Sequence, residues 1–220
     1  MQTARQMTMA GALAPVHISK HGFYARGLPA DLPWRARVKT AWMEVALRAR
    51  LCAKGFVRGL QGTGIFGIGR LYATVLRVDG RIEHLGLLST KLITDAGVAF
   101  LVDDWDASVT DLTTMNFHGC GTGVVAENVT DTALGTEATT ALNPDSVRAT
   151  GTRSQPAANQ YRSVGTATFD AVAVITEHGI LSQAATGGGV LWDRSVFSAI
   201  NVASGDSIQF TYTCTVSAGG

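Results

Sequence analysis

From residue 207 to residue 216 apolar and polar side chains alternate without a break. Ile208, Phe210, Tyr212 and Cys214 fall on one face, and Gln209, Thr211 and Thr213 fall on the other. A period of two is that of a half-buried antiparallel strand. The same reading predicts strands over 163–169, 171–177 and 191–200, with turns at Gly187-Gly188-Gly189 and Ser204-Gly205-Asp206. Residues 71–78 and 82–93 flank Asp79-Gly80, a dipeptide that accepts the positive φ angles of a type I′ turn, so a hairpin is predicted there. Thr94 or Asp95 can then cap a short helix through about residue 103, with Val98, Ala99 and Val102 on one side and acids arriving at its end.

Upstream the pattern changes. Over 43–54 the residue types favour a helix, but Met43, Val45, Leu47, Ala49, Leu51 and Ala53 alternate with their neighbours. A helix would set Arg48 and Arg50 about 200° apart and leave no clean apolar stripe, so a strand is expected. Pro15, Gly22, Gly27, Pro29 and Pro33 break up residues 1–40, which read as an extended arm. The expected fold is mainly β: an antiparallel β-sandwich or jelly-roll-like domain over 61–220, one short helix, and a basic extended arm with a first strand over 1–60.

Hydrophobic residues make up 46% of the 220 and charged residues 16%, which excludes a disordered chain and suits one that buries surface against partners. The net charge of +1 hides a division. Residues 1–60 hold ten Lys/Arg against two acids, and the remainder eight against fifteen. The basic residues are spread out rather than run together, which favours contact between subunits over nucleic acid. Arg26, Arg35, Arg37, Lys39, Arg48 and Arg50 are the candidate partner-binding residues. With no apolar run of about 20 residues and no secretory leader pattern, a soluble protein assembled inside a cell is expected, without a membrane partner. Cys52, Cys120 and Cys214 stand far apart and read as buried free thiols, with an intermolecular disulfide as the alternative.

Candidate chemistry is thin. Gly62-Thr63-Gly64-Ile65-Phe66-Gly67 matches a dinucleotide fingerprint, but a strand rather than a helix is expected after its third glycine. His17 and His21 lack the glutamate of a zinc helix. His118 and Cys120 share one face of a strand and point in parallel, so a thiol and its base would not meet. Asp103, Asp104 and Asp106 lack the glycine and spacing of a calcium loop and read as a solvated turn. Asn128-Val129-Thr130 is a glycosylation sequon with no secretion to use it. Glu177 and His178 adjoin, but neighbouring strand residues face opposite sides. No catalytic centre, metal or cofactor is expected.

The carboxyl-terminal half resembles virion proteins of tailed bacteriophages. The matching stretches are Phe117-His118-Gly119-Cys120-Gly121-Thr122-Gly123, Asp131-Thr132-Ala133-Leu134-Gly135-Thr136-Glu137 and Ile175-Thr176-Glu177-His178-Gly179-Ile180-Leu181. Leu191-Trp192-Asp193-Arg194-Ser195-Val196-Phe197 and Gly205-Asp206-Ser207-Ile208-Gln209-Phe210 complete the pattern, and the likeness extends upstream through 71–97. This resemblance implies a structural protein of the particle, assembled in the host cytoplasm. A capsid decoration or cement protein is the first expectation, binding the major capsid protein or another virion protein as a homo-oligomer, with a trimer as the guess. A tail, baseplate or fibre-associated protein, binding a host glycan through residues 183–189, is the alternative.

Overall fold

The structure, a computed structural model, describes residues 18–19, 22–23, 65–106 and 111–218. The six candidate partner-binding residues, the 43–54 segment, His17, His21 and Cys52 lie outside them. Two short strands, β1 (Ile18–Ser19) and β2 (Gly22–Phe23), pair with each other. The body consists of β3 (Ile65–Leu76), β4 (Ile82–Ile93), helix α1 (Asp95–Trp105), β5 (Phe117–Gly121), β6 (Ala149–Thr150), β7 (Thr152–Ala157), β8 (Gln160–Thr168), β9 (Ala173–Leu181), β10 (Leu191–Val202) and β11 (Ser207–Ala218).

All pairings are antiparallel, and the strands follow one another in the order β6-β5-β9-β10-β4-β3-β11-β8-β7. This ribbon folds into a sandwich because two strands change layers. β4 lies along β3 for most of its length and reaches β10 with its last residues, at Leu92 and Ile93. At the other edge β6 pairs with β5, and β7 begins after the single residue Gly151 and pairs with β8. Bent strands of this kind make the corners of packed sheets. A Cβ on Gly151 would collide with Ser163 Oγ and stand 2.7 Å from His118 Nε2, so only glycine lets the corner close. The Gly62–Gly67 motif is interrupted by this architecture, since β3 already runs through Gly67 where a dinucleotide site needs a helix to open.

The alternation read in the sequence becomes the core. Ile208 and Phe210 of β11 are fully buried and pack with Leu71, Val75, Phe169, Ile175 and Ile200 from both layers, while Tyr212, also fully buried, packs in a second cluster with Phe100, Ile180 and Trp192. β11 sits in the middle of its layer, in register with β3 along its whole length and with β8 on its other side.

Three details differ from expectation. The hairpin turn is not type I′: Gly80 N–H donates to Arg77 O, and Gly80 alone has positive φ (+84°). This is a three-residue loop ending in a left-handed glycine, with the Asp79 carboxylate accepting Arg81 N–H and Nε–H. Helix α1 is capped by Thr94, whose hydroxyl accepts Gly97 N–H, but its Val98, Ala99 and Val102 side faces outward. Gly97 and Phe100 make the buried contact instead, with Gly97 so close to Trp192 that a Cβ would lie 2.6 Å from its carbonyl oxygen. The helix runs on past residue 103 to Trp105, so Asp104 lies in its last turn and accepts Leu112 N–H, while Asp106 stands in an exposed turn as read from the sequence.

One end of the sandwich is tied by a single carboxylate. Asp206 accepts Val78 N–H, Ala203 N–H and Arg77 Nη1–H at 2.8–3.0 Å, joining the β3–β4 hairpin to the β10–β11 turn. Those bonds, led by the Ala203 amide, hold its pKa down at about 2 against an ordinary 3.8. Asp206→Ala is expected to lower unfolding free energy by about 3 kcal/mol, read as a shift of the urea midpoint. Because the folded pKa is depressed, the contribution of Asp206 is complete above the unfolded value and fades as pH falls from about 4 towards 2.

Candidate functional site

The buried ionisable groups of β9 and β10 gather in two networks, one inside the sandwich and one on the outer side of these strands. Glu177 and His178 go to opposite sides, as adjacent strand residues must, and each belongs to a different network.

The inner network is a chain of polar side chains through the apolar interior. It begins at Ser163 on β8, whose Oγ lies 2.8 Å from His118 Nε2. His118 Nδ1 is 3.0 Å from His178 Nε2, and His178 Nδ1 is 3.0 Å from Lys91 Nζ. Lys91 in turn donates to His178 O at 3.0 Å and to Asp193 Oδ1 at 2.9 Å. One assignment of protons satisfies every contact: His178 Nδ1 accepts from Lys91, His178 Nε2–H donates to His118 Nδ1, and His118 Nε2–H donates to Ser163. The chain is wrapped in aromatic rings, with Phe210 against His178 at 4.4 Å and Tyr212 beneath Lys91 at 5.8 Å, measured to ring centroids for each contact. The Tyr212 hydroxyl accepts Trp192 Nε1–H. Asp193 Oδ2 has no hydrogen bond of ordinary geometry among the described residues, and the Tyr212 hydroxyl is the donor that bears on it.

Burial sets the protonation of this chain, since desolvation disfavours whichever form is charged. It pushes His118 down to about 3, with the charge of Lys91 adding to the effect, and takes His178 well below its ordinary value. It lowers Lys91 and raises Asp193, so that each is drawn towards its uncharged form against their mutual attraction. Cys120, on the same strand as His118, packs in the apolar core, and its thiol is pushed up to about 12 by burial. His118 and Cys120 do not pair, as expected of side chains that point in parallel from one strand; His118 turns to Ser163 and His178. Cys214 is likewise a buried free thiol.

The outer network centres on Glu177. Its carboxylate accepts the backbone N–H groups of Gly123, Gly135 and Thr136 at 2.7–2.9 Å and binds Arg194 at 2.8 Å. Arg194 also pairs with Asp131 and donates to Val125 O. Burial alone would raise the carboxyl of Glu177, but the amides of Thr136 and Gly135 and the Arg194 guanidinium outweigh it and leave it below the ordinary value. The arrangement pins the loop between β5 and β6 onto the sheet. Gly123 is glycine because a Cβ there would meet the Glu177 carboxylate. Farther along the same loop, Glu137 pairs with Arg148, which also holds Gln183 O and Gly188 O, so residues 183–189 are anchored as well. Asn128 and Thr130 of the sequon bond to each other, with Asn128 N–H donating to Asp131.

Sequence reading did not find Lys91, Ser163, Asp193 or Arg194. The available signal was a charge placed inside an otherwise apolar strand, as Asp193-Arg194 is between Trp192 and Val196.

Comparison with models of protein families, with curated proteins and with solved structures finds no match.

Proposed function

We propose that the chain is a structural component of a tailed-bacteriophage particle, a decoration or cement protein on the capsid surface. What supports this reading is where the matching stretches fall. They supply His118, Asp131, Glu177, His178, Asp193, Arg194 and Asp206, the residues that build the two networks and the tie at the end of the sandwich. The likeness thus lies in a scaffold that fixes loops to a sheet, a task suited to a body that must hold its shape on a lattice. Exposed Val98, Val102 and Trp105 on α1, and Val172 and Val78 at one end, offer apolar contact area.

In this reading the partner is the major capsid protein, reached through the basic residues 26–50, in a homo-oligomer whose copies gain avidity from a repetitive surface. Cryo-electron microscopy of purified particles is expected to place the protein on the head shell. Density on the tail or baseplate alone would move the assignment to the second reading, and absence from the particle would reject both.

A further inference from the structure

The inner network contains a primary amine and a carboxyl group held together in a dry interior. We propose that Lys91 and Asp193 condense within the folded body into an internal amide, Nζ to Cγ, with release of one water. The observations are geometric. Both side chains are fully buried, from strands β4 and β10, with Nζ 2.9 Å from Oδ1. A third group touches the amine at the position a proton acceptor must occupy, His178 Nδ1 at 3.0 Å. The other carboxylate oxygen, Oδ2, has no ordinary hydrogen bond.

Burial makes the pair reactive. An ammonium has no lone pair to attack with, and a carboxylate resists a nucleophile, but desolvation draws Lys91 towards the free amine and Asp193 towards the acid. The Nζ lone pair adds to Cγ and the C–N bond forms. One Nζ proton passes to His178 Nδ1 and on to the departing hydroxyl, the C–O bond breaks, and His178 returns to its neutral form. The balance is one amine and one carboxylic acid giving one secondary amide and one water, with no oxidation and no co-reactant. The Tyr212 hydroxyl, the donor bearing on Asp193, supports the oxygen as charge develops on it. Holding the groups in contact replaces an encounter in solution, which is how intramolecular reactions gain their rate. Water that escapes from the apolar interior does not return readily, so the product persists.

Intact-mass measurement of the denatured full chain decides the matter. The wild type is expected to weigh one water less than its sequence, and a tryptic digest to contain a branched peptide joining the segment that includes Lys91 to the segment ending at Arg194. Asp193→Asn is expected to lose ammonia instead and arrive at the same mass as the wild type, while Lys91→Met keeps the full mass of its sequence. A wild-type chain of full mass, or a branch between other residues, overturns the proposal. His178→Gln, matured in parallel, is expected to cross-link about a hundredfold more slowly. An unchanged rate would overturn the part given to His178 and leave the proton transfer to the carboxyl group itself.

Discussion

Acidification from pH 7 to pH 4 is expected to unfold the body, and the cause is the buried pair His118 and His178. In the folded chain His118 takes up a proton only near pH 3, and His178 is also far below its ordinary value of 6.5. Once unfolded, both titrate in water near 6.5. Below that pH the unfolded state binds the extra protons, so stability falls as pH falls, by about 1.4 kcal/mol per pH unit for each histidine. His118 alone removes about 3 kcal/mol by pH 4, and His178 adds to the loss in the same direction, against a whole stability of about 5–15 kcal/mol for many domains. Urea midpoints measured at successive pH values should be nearly flat above 7 and drop steeply from 6 downwards. A midpoint that holds to pH 4 would mean that the histidines meet solvent in the folded state. The Asp206 contribution begins to fade only below about pH 4, so the loss between pH 6 and pH 4 belongs to the histidines.

The second large effect is expected at Glu177. Glu177→Ala strands the N–H groups of Gly123, Gly135 and Thr136 and takes from Arg194 its buried carboxylate, leaving Asp131 as its one acidic partner among the described residues. Removing one partner of a buried, hydrogen-bonded pair costs about 3–5 kcal/mol. Glu177→Gln keeps the volume and some of the hydrogen bonding, and a loss of about 2–3 kcal/mol is expected. Denaturation gives the totals, and amide hydrogen exchange localises them: faster exchange at Gly123, Gly135 and Thr136 while β11 stays protected marks release of the loop alone.

Where one physical rule dominated, the sequence was readable. Alternation over 207–216 identified both the strand and its buried face, because a period of two leaves no choice once one side is covered. Thr94 announced the start of α1 through its cap. The buried face of the helix is hidden in the sequence because Gly97, which has no side chain, carries the closest contact, and hydrophobic patterning is blind to a backbone pressed against a strand. Asp79-Gly80 located the hairpin but not its turn type, which the Asp79 carboxylate and Gly80 settle together. The inner chain was hidden for another reason. Sequence proximity sets His118 beside Cys120 and His178 beside Glu177, whereas their partners Ser163 and Lys91 arrive from other strands. Pairings of that kind come from topology, and β4 crossing between layers is what brings Lys91 to β10.

The order in which the strands are made differs from the order in which they pair. β3 is translated first among the strands of the body, yet its neighbour β11 is the last of them, and β8 waits for the same partner. While the ribosome is still extending the chain, two long edges stay open in the middle of the layer, so a nascent body cannot close before residue 218 emerges. The gap is also a slot. A synthetic peptide with the sequence of residues 207–218 should compete for it during refolding, turning the central strand into a handle for splitting the protein in two and rejoining it.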